Sequence, residues 1–143
     1  PDKMKVPSIN NCRLCLIFAL GSILCACNSS RFEAAFLEGS QIRLQVGQVD
    51  QFVYNPQVCQ LAYSFTNCTF CAHNDSMSDY FLVRFDRTPD ALGQRVSADI
   101  EWTTRDNIQK KNNVTLEVGK IEGDKVWLWS QSARIGLTVR ILE

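Results

Sequence analysis

The feature that most constrains this chain is a period of two that sets in after Gly39 and persists. Ile42, Leu44 and Val46 alternate with Arg43 and Gln45, and Val96, Ala98, Ile100 and Trp102 alternate with Arg95, Ser97, Asp99, Glu101 and Thr103. Successive side chains of an extended backbone point to opposite faces, so each segment has one apolar and one wet face. The pattern recurs at Phe81, Val83 and Phe85, at Val114, Leu116 and Val118, and at Ile135, Leu137, Val139 and Ile141. Val49 to Tyr54, Val58 to Phe65 and Val126 to Trp129 bring the count to about eight strands. Turn formers lie between them. Glu122-Gly123-Asp124 offers a glycine that tolerates the positive φ of a tight hairpin, and Thr88-Pro89-Asp90 closes another strand. No helical period longer than two turns follows residue 40.

Many short strands with turn residues between them predict an all-β domain over 41–143. The expected form is an antiparallel β-sandwich, immunoglobulin-like or similar, of about eight strands. Alternation argues against a parallel sheet buried on both faces, which would read as continuous apolar runs. At 143 residues the chain has room for one core.

The N-terminus reads differently. Leu14 to Leu24 is apolar throughout, lies behind Lys5 and Arg13, and gives way to small residues before Asn28-Ser29-Ser30. Charge, then an apolar helix, then small side chains is the order an export signal requires. Eleven residues make roughly 16 Å of helix against a ~30 Å hydrocarbon core, too short to span a membrane. The expected organisation is a signal peptide helix over 1–26, a tether over 27–40 and the β domain after it. Within the signal, Leu24-Cys25-Ala26-Cys27 resembles the lipobox of bacterial lipoproteins. The resemblance covers about the first thirty residues, and it implies that Cys27 is acylated and becomes the first residue of an exported chain anchored to a membrane by lipid.

In the tether, Phe32, Phe36 and Leu37 stand at three- and four-residue spacing, with Glu33 off that line. They would share one side of a helical turn and dock onto the β domain where the tether leaves it. Loss of Lys3, Lys5, Arg13 and Asp2 with the leader leaves 12 basic against 14 acidic residues. Without a basic stripe, nucleic acid is not an expected partner.

Three cysteines remain in the domain, Cys59, Cys68 and Cys71, and export favours one disulfide among them with a spare thiol. The alternative reading joins them with His73, the one histidine, as three sulfurs and an imidazole, the ligand count of a closed zinc site. Haem attachment is excluded because Ala72 separates Cys71 from His73. No cofactor is expected. Enzymatic signatures are thin, with no glycine-flanked nucleophilic serine and no phosphate-binding glycine loop, so no catalysis is expected. Asp99 and Glu101 share a strand face roughly 7 Å apart, but Arg95 beside them makes a solvated face the simpler reading.

Val126-Trp127-Leu128-Trp129 is apolar on both faces. Exposed beside Tyr80, Trp127 and Trp129 would form a sticky patch suited to a protein partner; otherwise the Phe32 to Leu37 segment covers them. Asn28, Asn67, Asn74 and Asn113 each fit the glycan acceptor pattern. The first functional expectation is therefore an exported, lipid-anchored accessory or binding protein of a cell envelope. The second is a glycosylated secreted domain or ectodomain, and the third a zinc or redox protein built on Cys59, Cys68, Cys71 and His73.

Overall fold

The computed structural model describes residues 41–105 and 107–141, and none of these is helical. The expected signal helix, the tether and Cys27 lie outside the described residues. Nine strands follow one another: β1 (Arg43–Val46), β2 (Val49–Val53), β3 (Cys59–Ser64), β4 (Thr69–Asn74), β5 (Tyr80–Phe85), β6 (Arg95–Thr104), β7 (Asn107–Glu122), β8 (Lys125–Ser130) and β9 (Ile135–Arg140). They form one sheet in the order β2-β1-β9-β8-β7-β6-β5-β4-β3, with every pair antiparallel. The domain is all-β and antiparallel as expected. The two-sheet immunoglobulin-like arrangement is corrected: hydrogen bonds run unbroken from edge to edge of one curled sheet, a half-barrel. Every neighbour is also a neighbour in sequence except β1 and β9, so the connectivity is a meander and not a Greek key.

The curl centres on β7. Asn107 to Glu117 pair with β6 and Glu117 to Glu122 with β8; Glu117 alone is paired on both sides, with Arg95 and Trp129. The register slips between Ala98 and Ile100 and again between Val118 and Lys120. Extra residues on one strand of a ladder bend it and tighten its twist, so the sheet turns over without being cut. The first slip is held by Asn113, at φ +53°, whose N–H donates to Asp99 Oδ1 at 2.9 Å. Asparagine is among the few side chains that enter the left-handed region readily. The fold-over brings β2 onto the opposite side: the Phe52 ring lies 5.5 Å from that of Phe81, and Trp102 Nε1 donates to Gln51 Oε1 at 3.3 Å.

The concave face encloses one core. Leu44, Phe70, Phe81, Val83, Ile100, Leu116, Leu128, Ile135 and Leu137 are all buried there, each contributed by the apolar phase of its strand. The alternation in the sequence is thus the alternation of the two faces.

Two elements depart from the expectation. Thr69–Asn74 is a strand, with Phe70 and Ala72 inward and Thr69, Cys71 and His73 outward. β7 starts well before Val114, because Asn107 to Lys111 pair with β6 and Asn112 and Asn113 form the bulge, although every one of them is exposed. A ladder needs only backbone partners, and a strand wet on both faces leaves no period-two trace.

Candidate functional site

Three turns gather at one end of the half-barrel. The β3–β4 turn carries Phe65 and Cys68, the latter at φ +46°; Cys68 N–H donates to Phe65 O at 3.4 Å, and its carbonyl receives Phe85 N–H at 2.8 Å. The β5–β6 link, residues 86–94, is held by Gln94. Its Oε1 accepts from the N–H groups of Asp90 and Ala91 at 2.9 and 3.1 Å, while its Nε2 donates to Thr88 O at 3.1 Å. Gly93 N–H to Val118 O, at 2.8 Å, and Val118 N–H to Gln94 O, at 2.9 Å, fasten this link to β7. The third turn is Gly123-Asp124, where Glu122 pairs with Lys125 and Gly123 takes φ +62°. A two-residue hairpin with positive φ at its first position places glycine there because a Cβ would be strained. Asp124 O accepts from Ile141 N–H at 2.8 Å, and the Asp124 carboxylate pairs with the Arg140 guanidinium.

Between these turns lies a cleft of about 620 Å³, within the size range of small-ligand and side-chain pockets. Phe65 and Pro89 form one wall, and Ile121, Val126 and Ile141 the other; Thr88, Asp90 and the Asp124–Arg140 pair rim it. Phe65 and Ile121 expose 51% and 38% of their surface, so apolar area faces water here. Behind the wall, Tyr63 packs edge-on against Phe65 at 4.9 Å and its hydroxyl shares a 3.2 Å hydrogen bond with Thr88 Oγ1. Burial pushes the Tyr63 phenol up, although the Thr88 hydrogen bond acts the other way. Apolar walls with a charged rim suit capture of an apolar side chain or small amphiphile. The sequence marks Thr88 and Asp124 only as turn residues, and gives Phe65 and Arg140 no site role. The signal that could have found them is topological: in a meander, alternate turns share an end.

The residues that the sequence did single out are scattered. Cys59 is buried on the core face; Cys71 points outward from β4 opposite Ala62, and Cys68 lies in the turn. Cys59 and Cys71 stand three ladder positions apart on opposite faces, roughly 10 Å and beyond disulfide reach, and Cys68 lies outside the ladder in the turn before Thr69. All three are free thiols, which corrects the expected disulfide. His73 shares the outer face with Cys71, and its Nδ1 lies 3.0 Å from Asn74 O; no cluster able to hold a metal occurs among the described residues. The zinc reading on Cys59, Cys68, Cys71 and His73 therefore fails on geometry.

Nor do the aromatics of the expected patch lie open. Trp127 is 1% exposed and Tyr80 is 8% exposed, while Trp129 is half-buried. Trp127 lies under the Lys120 ammonium, 4.8 Å from its ring. On the outer face of β5 to β7, Lys110 Nζ meets Glu101 Oε2 at 2.6 Å and the Tyr80 hydroxyl donates to Glu101 Oε1. Burial, reinforced by the Glu101 carboxylate, pushes the Tyr80 phenol up to about 12, and Lys110 followed by Tyr80 holds Glu101 below the usual carboxylate range. Asp99 is committed to the Asn113 bulge. The Asp99–Glu101 pair thus fastens the sheet's outer surface.

Of the glycan acceptors, Asn67 and Asn113 are exposed, at a turn and a bulge. Asn74 is half-buried and organises the β4–β5 turn, donating to Ser78 Oγ at 3.1 Å and accepting Asp79 N–H at 3.2 Å. Asn28 lies outside the described residues. No family profile matches the chain, and comparison with curated proteins and with solved structures gives no match.

Proposed function

We propose that the chain is an exported accessory protein of a cell envelope, held at a membrane by a lipid on Cys27 and acting by contact with a protein partner, without catalysis. The observation that carries the contact reading is the cleft between the three turns. It exposes Phe65 and Ile121 beside a charged rim, and its walls are fixed by backbone hydrogen bonds. An apolar hollow with a polar rim is the form protein anchors use. The leader and Leu24-Cys25-Ala26-Cys27 support the anchor. The fold-over at β7, which stacks β2 across β5 and β6, supports a two-layer, sandwich-like description of the domain.

Metabolic labelling with palmitate and intact mass test the anchor: the product should begin at Cys27 and carry acyl chains, and Cys27→Ala should leave the membrane fraction. A photo-crosslinker at Phe65 tests the contact. One discrete adduct, lost when Ile121 is replaced by aspartate, is expected; an unacylated product that crosslinks to nothing would end this reading.

A second reading is favoured by one observation, the exposure of Asn67 and Asn113. It makes the domain a glycosylated secreted protein or ectodomain. Enzymatic deglycosylation should then lower the apparent mass, and Asn67→Gln with Asn113→Gln should abolish that shift.

A further inference from the structure

β3 forms one rim of the sheet, with β4 as its neighbour on the other side. Successive residues of a strand turn their backbone N–H and C=O groups to opposite sides. Asn74 N–H donates to Asp79 O at 3.0 Å and Phe85 N–H to Cys68 O at 2.8 Å, so the even residues of β4 face β5. Its odd residues, Thr69, Cys71 and His73, therefore bond to their partners Ser64, Ala62 and Gln60. Leu61 and Tyr63 are left with N–H and C=O aimed away from the sheet. Cys59 has the same phase, since its N–H turns to Asn55 O at 2.9 Å and not to β4. The side chains of Leu61 and Tyr63 lie half-buried at the margin of the core, and Tyr63 packs edge-on to the exposed Phe65. A row of spare peptide groups thus runs beside a row of incompletely covered apolar side chains, and it ends at the cleft.

Exposed rims pair with other chains unless charge, proline or a bulge blunts them. Two other margins have such devices. β2 carries Asp50, in an ion pair with Arg43 at 3.6 Å, and its register with β1 slips after Leu44. The stretch of β7 before Glu117, which pairs with β6 alone among the described strands, carries Lys110, Lys111 and the Asn113 bulge. β3 has none of these: Val58 to Phe65 holds no charged residue and no proline, and its six pairs with β4 keep one register. Carboxylates stand at both ends of this rim. Asp75 accepts from Gln60 Nε2 at 3.1 Å at one end, and Asp90 lines the cleft at the other. Both are exposed, and neither forms an ion pair among the described residues. Antiparallel pairing of β3 with a second copy would bring Asp75 of one chain toward Asp90 of the other, so like charges oppose self-association.

We infer that the β3 rim takes an extended segment of a partner protein as an added strand, antiparallel to β3, with apolar side chains at alternate positions and Lys or Arg at its ends. This deepens the contact proposed for the cleft and rests on that reading. Residues opposite Leu61 and Tyr63 meet the spare peptide groups and lay apolar side chains over the core margin, while those between them lie with Gln60, Ala62 and Ser64 in water. The end that passes Phe65 reaches the cleft beside Asp90.

The test adds a synthetic peptide, Lys-Val-Thr-Val-Thr-Val-Lys with blocked ends, to the isotope-labelled full chain and follows amide exchange by nuclear magnetic resonance. In the free chain the Leu61 and Tyr63 amides should exchange much faster than that of Ala62; the peptide should slow both and leave Ala62 unchanged. Methylating the valine amide nitrogens should weaken binding about ten-fold, and methylating those of threonine should not, because only the valine N–H groups meet β3. Leu61→Pro removes a rim donor without touching the β4 ladder, and it should weaken the unmethylated peptide in the same way. Glutamate in place of both lysines should weaken it too. Binding that ignores backbone methylation overturns the inference; if Ile121→Asp abolishes that binding, the cleft reading stands without it. Unslowed Leu61 and Tyr63 amides in a large excess of peptide also overturn it, and the Phe65 crosslink then decides the cleft reading separately. A dimer in sedimentation that the peptide dissociates would make a second copy the occupant, and so overturn the assignment to a partner protein.

Discussion

Trp102 and Gln51 are 51 residues apart in sequence, and the indole N–H of one donates to the amide oxygen of the other at 3.3 Å. This bond ties edge strand β2 to β6, on the far side of the fold-over. Beside it, the Phe52–Phe81 ring contact does the same work with apolar surface. Gln51→Leu keeps the volume but leaves a buried indole N–H without its partner, so the domain should lose about 1–3 kcal/mol of stability. Chemical denaturation followed by tryptophan emission checks this, and Trp102→Phe in the Gln51→Leu background should recover part of the loss.

The Tyr80, Glu101 and Lys110 group predicts opposite behaviour at the two ends of the pH scale. The Tyr80 phenol is raised to about 12 in the folded state, so the folded protein holds a proton that the unfolded chain releases near 10. Stability from this group is complete below pH 10 and declines as pH rises toward 12. Tyr80→Phe should flatten that decline and remove the latest step in an ultraviolet titration of the three tyrosines. Glu101 is held low by Lys110 and Tyr80, so its contribution is complete above its unfolded value near 4 and fades as pH falls through the folded one. Lys110→Gln should move acid unfolding to higher pH, read by circular dichroism at a series of pH values.

The thiols should react in a fixed order. Cys68 and Cys71 are half-buried, Cys59 is in the core, and burial pushes the Cys71 thiol up and so lowers its thiolate fraction. Alkylation of the native domain followed by peptide mass mapping should mark Cys68 first, Cys71 more slowly, and Cys59 only after unfolding. A disulfide-linked peptide pair recovered from the native protein would contradict the geometry of β3 and β4.

Gly123 fixes the third of the turns that bound the cleft. Its φ of +62° is strained for a β-branched side chain, although an added Cβ would meet no atom within 4 Å. Gly123→Val should therefore cost about 1–3 kcal/mol through the backbone alone. Thermal unfolding checks the cost, and loss of the Phe65 crosslink at a temperature where the domain is still folded would show that the turn shapes the cleft.

Much of this architecture was legible in the sequence, because a period of two reports which face of a strand is dry. Arg95 to Thr103 alternates as that pattern demands, and Ile42 to Val46 and Ile135 to Ile141 turn their apolar residues to the core, although Gln45, Gly136 and Thr138 on the other face are buried too. Thr69 to His73 carries the same alternation, but its Cys71 and His73, with Cys68 just before them, read as a ligand cluster. Asn107 to Asn113 could not be seen, since a strand exposed on both faces has no hydrophobic period. One bent sheet and two separate ones share the same alternation. The difference lies in the register slips at Asn113 and Gly119, which are a matter of backbone partners. The cleft was hidden for a related reason: its walls come from turns distant in sequence, and what unites them is the direction of the strands they join.

That direction has a last consequence. In a run of nine strands, each opposite to its neighbour, the first and ninth positions point the same way, and these are β2 and β3. The short link at residues 54–58 cannot make them a hairpin, because parallel neighbours need a longer crossover. Meanwhile residues 41 and 141 lie close together where β1 flanks β9. Splicing those two positions and opening the chain at 54–58 would give an uninterrupted zigzag from β3 through β9 to β2. In its wiring, the domain is a circular permutation of the plainest all-β topology.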